Sequence, residues 1–136
     1  MKGIIFVTML LLLTGCGSGK KNGVTSPESL YGAWELHELN GEEVSAEQLP
    51  TIEMKEDGTH HGFSGCNILN GTFTAEENGV VSFGEMATTR MSCPDMQLES
   101  DFLGALAAVD HFSVSENRLT LLSGDKAVAL FLPHAP

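Results

Sequence analysis

A mainly β fold is predicted for this chain of 136 residues, a compact antiparallel, barrel-like domain with one α-helix packed across it. Three observations predict it. Short segments of alternating apolar and polar residues follow one another from Leu30, each closed by a turn signal. Phenylalanines recur every ten residues at Phe63, Phe73 and Phe83, one aromatic per strand of a meander. A single later stretch, Pro94 to Val109, switches to helical spacing.

The N-terminus comes first. Met1-Lys2 is a short basic start, and Ile4 to Leu13 is an apolar run of ten residues. A spanning helix needs about twenty, so residues 1–15 read as a signal peptide and not as an anchor. Leu13-Thr14-Gly15-Cys16 resembles the bacterial lipobox, where cleavage precedes a diacylglycerol-modified cysteine. That makes Cys16 the lipidation site and the lipid the route to the membrane, since two or three acyl chains anchor stably where one does not. Gly17 stands where an aspartate is associated with retention in the inner membrane, so a Gram-negative chain of this kind faces the periplasm from the outer membrane. Residues 16–29 are rich in Gly, Ser, Lys and Asn and read as a flexible tether. The domain proper is expected over residues 30–136.

Within it, Trp34 to His37 alternates before the turn Asn40-Gly41. Ile52 and Met54 share a face opposite Thr51, Glu53 and Lys55, and Asp57-Gly58 then offers a hairpin turn with positive φ. Asn78-Gly79 separates the strands of Phe73 and Phe83. Three more strands are marked by Phe112/Val114, Leu119/Leu121 and Val128/Leu130/Leu132, split near Glu116-Asn117 and Ser123-Gly124-Asp125. In the helical stretch, Leu98, Phe102, Leu106 and Val109 form the apolar face, with Pro94, Asp95 and Glu99 suited to the N-terminal turn. Gly104 suggests close packing on the sheet. A membrane-active helix would carry a Lys/Arg face, which this one lacks.

Charge narrows the function. Seven Lys+Arg against eighteen Asp+Glu give a net charge of −11. Nucleic-acid binding needs a basic stripe that releases counterions, so it is excluded as a partner class. An apolar content of 42% with five prolines excludes a wholly disordered chain.

The middle of the chain resembles the META domain family, the small domain of HslJ-type heat-inducible lipoproteins. The resemblance is carried by Gly62-Phe63-Ser64-Gly65-Cys66-Asn67, by Asn70-Gly71-Thr72-Phe73, and by Met86 to Asp95 with Thr88, Thr89, Arg90, Met91, Cys93 and Pro94 at its heart. Glu99, Phe102 and Leu106 also fit, as do Trp34-Glu35-Leu36 and Leu119-Thr120-Leu121. Phe73 stands where many members have tyrosine. The resemblance implies an antiparallel β fold with one helix, an envelope or secreted location, and association in some bacteria with heat stress and novobiocin tolerance. It implies no reaction, no catalytic residue and no cofactor.

Each cluster that bears chemistry has a plainer structural reading beside the functional one. With Cys16 lipidated, Cys66 and Cys93 remain as an even pair in an oxidising compartment; a disulfide is the first reading, free thiols the second. Cys93 just before the helix leaves thiol chemistry open, although no Cys-x-x-Cys is present. His60 and His61 with the cysteines lack metal-ligand spacing, and adjacent strand residues face opposite ways, so no metal site is expected. His37, His111 and His134 have no recognisable partner in the sequence. Gly62 to Cys66 approaches a nucleophile elbow around Ser64 but lacks its final glycine and the βαβ setting. Arg90 either holds an anion or pins its loop by pairing with an acid such as Glu99. Asn67 and Asn70 are expected to support turns, and Trp34 to anchor the core. The expectation is a monomeric, non-enzymatic, lipid-anchored envelope module that binds an envelope protein or a small ligand. An enzyme using thiols or Ser64, or a purely structural lipoprotein, is the alternative.

Overall fold

The first six strands run as a meander with one short side strand, beginning where a 3-10 turn, Pro27–Leu30, hands the chain to the sheet. The strands are β1 (Gly32–Leu39), β2 (Glu42–Glu43), β3 (Thr51–Met54), β4 (Thr59–Phe63), β5 (Ile68–Ala75) and β6 (Val81–Thr88). After α1 (Gln97–Ala108) come β7 (His111–Ser115), β8 (Arg118–Ser123) and β9 (Lys126–Pro133). This computed structural model describes residues 23–135; the expected signal peptide, Cys16 and the tether up to Asn22 lie outside them.

All pairings are antiparallel, in the order β6-β5-β4-β3-β1-β9-β8-β7, with β2 on the end of β1. The fold is therefore mainly β with one helix packed against a nine-stranded sheet. It is not a closed barrel. β6 and β7 are edges, touching at the isolated bridge Val80–His111. They are joined by the long segment that carries α1, so no tight turn sets a ladder register between them.

The alternation in the sequence maps onto one apolar core. Trp34, Leu36 and Leu39 of β1 meet Ile52, Met54, Leu69 and Phe73 from the meander. Phe102 and Leu106 of α1 close over Phe112, Leu119, Leu121 and Phe131. The Trp34 indole N–H donates to the Leu30 carbonyl at 2.8 Å, which seats the 3-10 turn on the core. Asn40 and Gly41 both have positive φ (51° and 83°), as the two-residue turn between β1 and β2 requires.

Four expectations are corrected. Val128, Leu130 and Leu132 do not share a buried face: Leu121 pairs with Ala129 but Leu122 with Ala127, so Val128 is an extra residue that shifts the pleat. Ala129 and Phe131 are buried instead, together with Val128. The helix starts at Gln97 and not at Pro94, because the Asp95 carboxylate already accepts the Gln97 N–H at 2.9 Å and holds residues 95–97 in a turn. Gly104 is exposed, and among the described residues no other element comes within 4 Å of where a Cβ would stand, so it does not mark close packing. Residues 23–29, read as tether, lie against the domain: Val24 and Val114 exchange backbone hydrogen bonds of 2.7 and 2.8 Å. The Thr25 hydroxyl reaches the Glu77 carbonyl at 3.1 Å.

Candidate functional site

The two signature segments, 64–67 between β4 and β5 and 89–93 after β6, converge on the first turn of α1. Gly65 makes the approach possible. Its φ is +119°, and a Cβ there would come within 3.2 Å of the Glu99 backbone nitrogen. Only glycine combines that conformation with that proximity.

Glu99 lies on the buried side of α1, 6% exposed. One carboxylate oxygen accepts the Ser64 hydroxyl and, at 2.8 Å, the Asn67 backbone N–H. The other accepts the Asn67 side-chain amide at 2.8 Å. Burial pushes this carboxyl up. The donors of Ser64 and Asn67, with the Cys66 backbone N–H, outweigh it and hold the group below the ordinary carboxylate range. The charge is met by N–H and O–H dipoles, with no cation among its partners in the described residues.

Asn67 is used completely. Its carbonyl oxygen accepts the Met91 N–H at 2.7 Å and the Thr89 hydroxyl at 2.9 Å. Its amide nitrogen donates to Glu99 and, at 3.3 Å, to the Met91 carbonyl. Two donors and two lone pairs are all that side chain has. Cys66 and Cys93 are joined by a disulfide, with Cα atoms 6.0 Å apart, beside this clasp. The signature residues therefore stitch two loops and a helix together.

The remaining candidates are scattered. Ser64 is 0% exposed and its one hydroxyl hydrogen is committed to Glu99. Arg90 does not pair with Glu99: it is exposed and forms no ion pair with another described residue. The Thr89 hydroxyl and the Met91 backbone N–H both donate to the Asn67 carbonyl oxygen, while the side chains of Arg90 and Met91 are left exposed. The adjacent histidines separate as strand geometry demands. His61 is exposed and bonded to Asn70 at 2.8 Å, whereas His60 is 2% exposed, edge-on to Phe83 at 5.4 Å. Neither ring nitrogen of His60 meets a partner among the described residues. Burial pushes its pKa below the ordinary value, with a smaller effect from His61. Histidines that showed no partner in the sequence do have them: Glu35 meets both His37 (3.0 Å) and His134 (3.2 Å), and Asp110 meets His111 at 2.7 Å. Among the described residues, no three His, Cys, Asp or Glu side chains converge as metal ligands.

In the sequence Glu99 reads as an acid suited to the helix N-terminus and as a partner for Arg90, not as a buried acceptor for Ser64 and Asn67. The missed signal was positional: Glu99, Phe102 and Leu106 stand at i, i+3 and i+7, on one helical stripe.

Against the clasp lies an open groove of about 660 Å³. It runs between the loop after β2 and the segment from Cys93 to Asp101. Val44, Phe63 and Leu98 line it with apolar surface, and Gly65 and Cys93 bring the clasp to its edge.

A profile of the META domain matches residues 28–136. The heat shock protein HslJ of Escherichia coli (strain K12) is 31% identical over 130 residues, spanning 90% of this chain and 89% of its own. A Burkholderia xenovorans protein solved by NMR superposes with a TM-score of 0.64 at 23% identity, covering 80% of this chain and 86% of that one. A DUF4847 family protein from Bacteroides vulgatus ATCC 8482 gives 0.58 at 19%, covering 79% and 95%. At those identities the two structures speak to the fold alone.

Proposed function

The chain belongs to the META domain family, and from that premise we propose that it is a non-enzymatic lipoprotein of the bacterial cell envelope. In this reading Cys16 carries the lipid and the domain is a stress-associated binding module, at the periplasmic face of the outer membrane in a Gram-negative cell. The stress association is supported by the relative named as a heat shock protein. The location is supported by the Met1–Cys16 pattern.

One observation carries the binding role. The polar groups of Ser64, Asn67 and Thr89 are spent inside the domain, on Glu99 and on Asn67 itself, while a groove beside them stays open. A serine hydrolase needs a nucleophile exposed to substrate and activated by a base. Ser64 is buried and donates to a carboxylate that helps close the fold. A thiol enzyme needs an accessible thiolate, whereas the two cysteines are bonded to each other.

Site-specific photocrosslinking in heat-stressed cells tests the proposal. A benzophenone amino acid at Leu98, in the groove, is compared with one at the exposed Arg118 on β8. The proposal expects a discrete adduct from position 98 alone, detected on a gel or by intact mass. No adduct, or the same adducts from both positions, would reject it.

A further inference from the structure

We infer that the groove takes a small organic cation: a primary or secondary amine carried on an apolar body. The inference rests on the binding-module reading above and names its ligand class. A volume of about 660 Å³ falls in the range that encloses one drug-sized molecule. The floor is apolar and incompletely covered, with Val44, Phe63 and Leu98 each half-buried.

The rim is acidic on both sides. Glu42, Glu43 and Glu47 stand on the β2 side, and Asp95 and Asp101 on the helix side; among the described residues no Lys or Arg lines the groove. Two details give this rim a direction. Glu43 lies directly opposite Glu38 across the β1–β2 ladder, a like-charge pair that costs stability and adds negative charge behind the β2 wall. Asp95 and Asp101 are both held by Gln97, through its backbone N–H at 2.9 Å and its side-chain amide at 2.8 Å, and each keeps a second oxygen. An apolar body settling on Leu98 and Phe63 sets its ammonium between two acidic walls, of which the helix side is held in place by Gln97. The domain's own field favours the same sign. Residues 23–135 hold four basic side chains, Lys55, Arg90, Arg118 and Lys126, against all eighteen acids.

The test uses the mature chain from residue 17, exported behind a cleavable non-lipoprotein signal, and three probes of one shape. These are 4-phenylbutylamine, 4-phenylbutan-1-ol and 4-phenylbutanoate, titrated against backbone amide NMR shifts. The amine is expected to saturate, with shifts centred on Val44, Phe63 and Leu98, at least tenfold tighter than the alcohol, and the carboxylate is expected not to bind. The double variant Glu47→Gln/Asp101→Asn, checked for unchanged spectral dispersion, should weaken the amine about tenfold and leave the alcohol unchanged. Equal binding of amine and alcohol, tighter binding of the carboxylate, unsaturating shifts spread over surface acids, or no binding of any probe would each overturn the inference. A groove crosslink in cells without amine preference removes the cation and leaves the binding module. Loss of both the crosslink and probe binding removes both.

Discussion

Glu99 accepts hydrogen bonds from Ser64 and from the backbone and side chain of Asn67, all away from water. In Glu99→Gln the new amide must turn its N–H groups towards one set of those donors. Stability should fall by about 2–3 kcal/mol at neutral pH, the scale of hydrogen bonds to a buried charged group. The sign of the pH dependence follows from the lowered pKa. The stabilisation by Glu99 is complete above its ordinary value of 4.5 and is lost as pH falls through the lower folded value. Urea unfolding should therefore show parent and variant converging in acid. His60 works at a higher pH. Buried and neutral, it holds its pKa below the ordinary 6.5, so under that pH the unfolded chain gains a proton that the folded chain resists. Stability should drop as pH falls below 6.5. His60→Leu should flatten that drop and be no less stable at pH 7.5, where it also removes two unpartnered nitrogens. Urea midpoints at pH 7.5 and 5.5 check both statements; a larger acid loss in His60→Leu would contradict them.

At the scale of elements, strands and turns were legible because period two and positive-φ dipeptides are local signals. Asn40-Gly41, Asp57-Gly58 and Asn78-Gly79 all fall at turns, with Gly41, Gly58 and Gly79 at positive φ. What was not legible depends on partners far along the chain. The extra residue at Val128 is set by pairing with β8, and the failure of β6 and β7 to close is set by α1 between them. The clasp is of the same kind: its parts were all singled out in the sequence, but Asn67 and Glu99 stand 32 positions apart. The Cys66–Cys93 disulfide spans a separation of 27 residues. In the chain-entropy account such a loop contributes about 3.5 kcal/mol by restricting the unfolded state. Cys66→Ser/Cys93→Ser should melt well below the parent, by an amount that calorimetry under non-reducing conditions will measure. Equal melting temperatures would show that Glu99 and Asn67 hold the loops without the bridge.

For the whole molecule, the proposed placement in the envelope turns on Cys16. Cys16→Ala should abolish fatty-acid labelling and leave precursor, whereas equal labelling of variant and parent would refute lipid attachment there. The groove was invisible in the sequence because its walls come from residues 42–48 and 93–101, brought together by folding alone. Its acidity was half visible in the overall charge of −11, which says nothing about where the acids gather. The central claim is that function resides in this groove and not in a catalytic side chain. The direct test is heat survival of a deletion strain carrying Val44→Arg or His61→Ala at matched levels, each verified as folded by circular dichroism. Val44→Arg places a cation and extra bulk in the groove, while His61 is an exposed strand residue outside it. The account predicts that His61→Ala rescues survival like the parent and that Val44→Arg does not. Full rescue by folded Val44→Arg, with failure of folded His61→Ala, would contradict it.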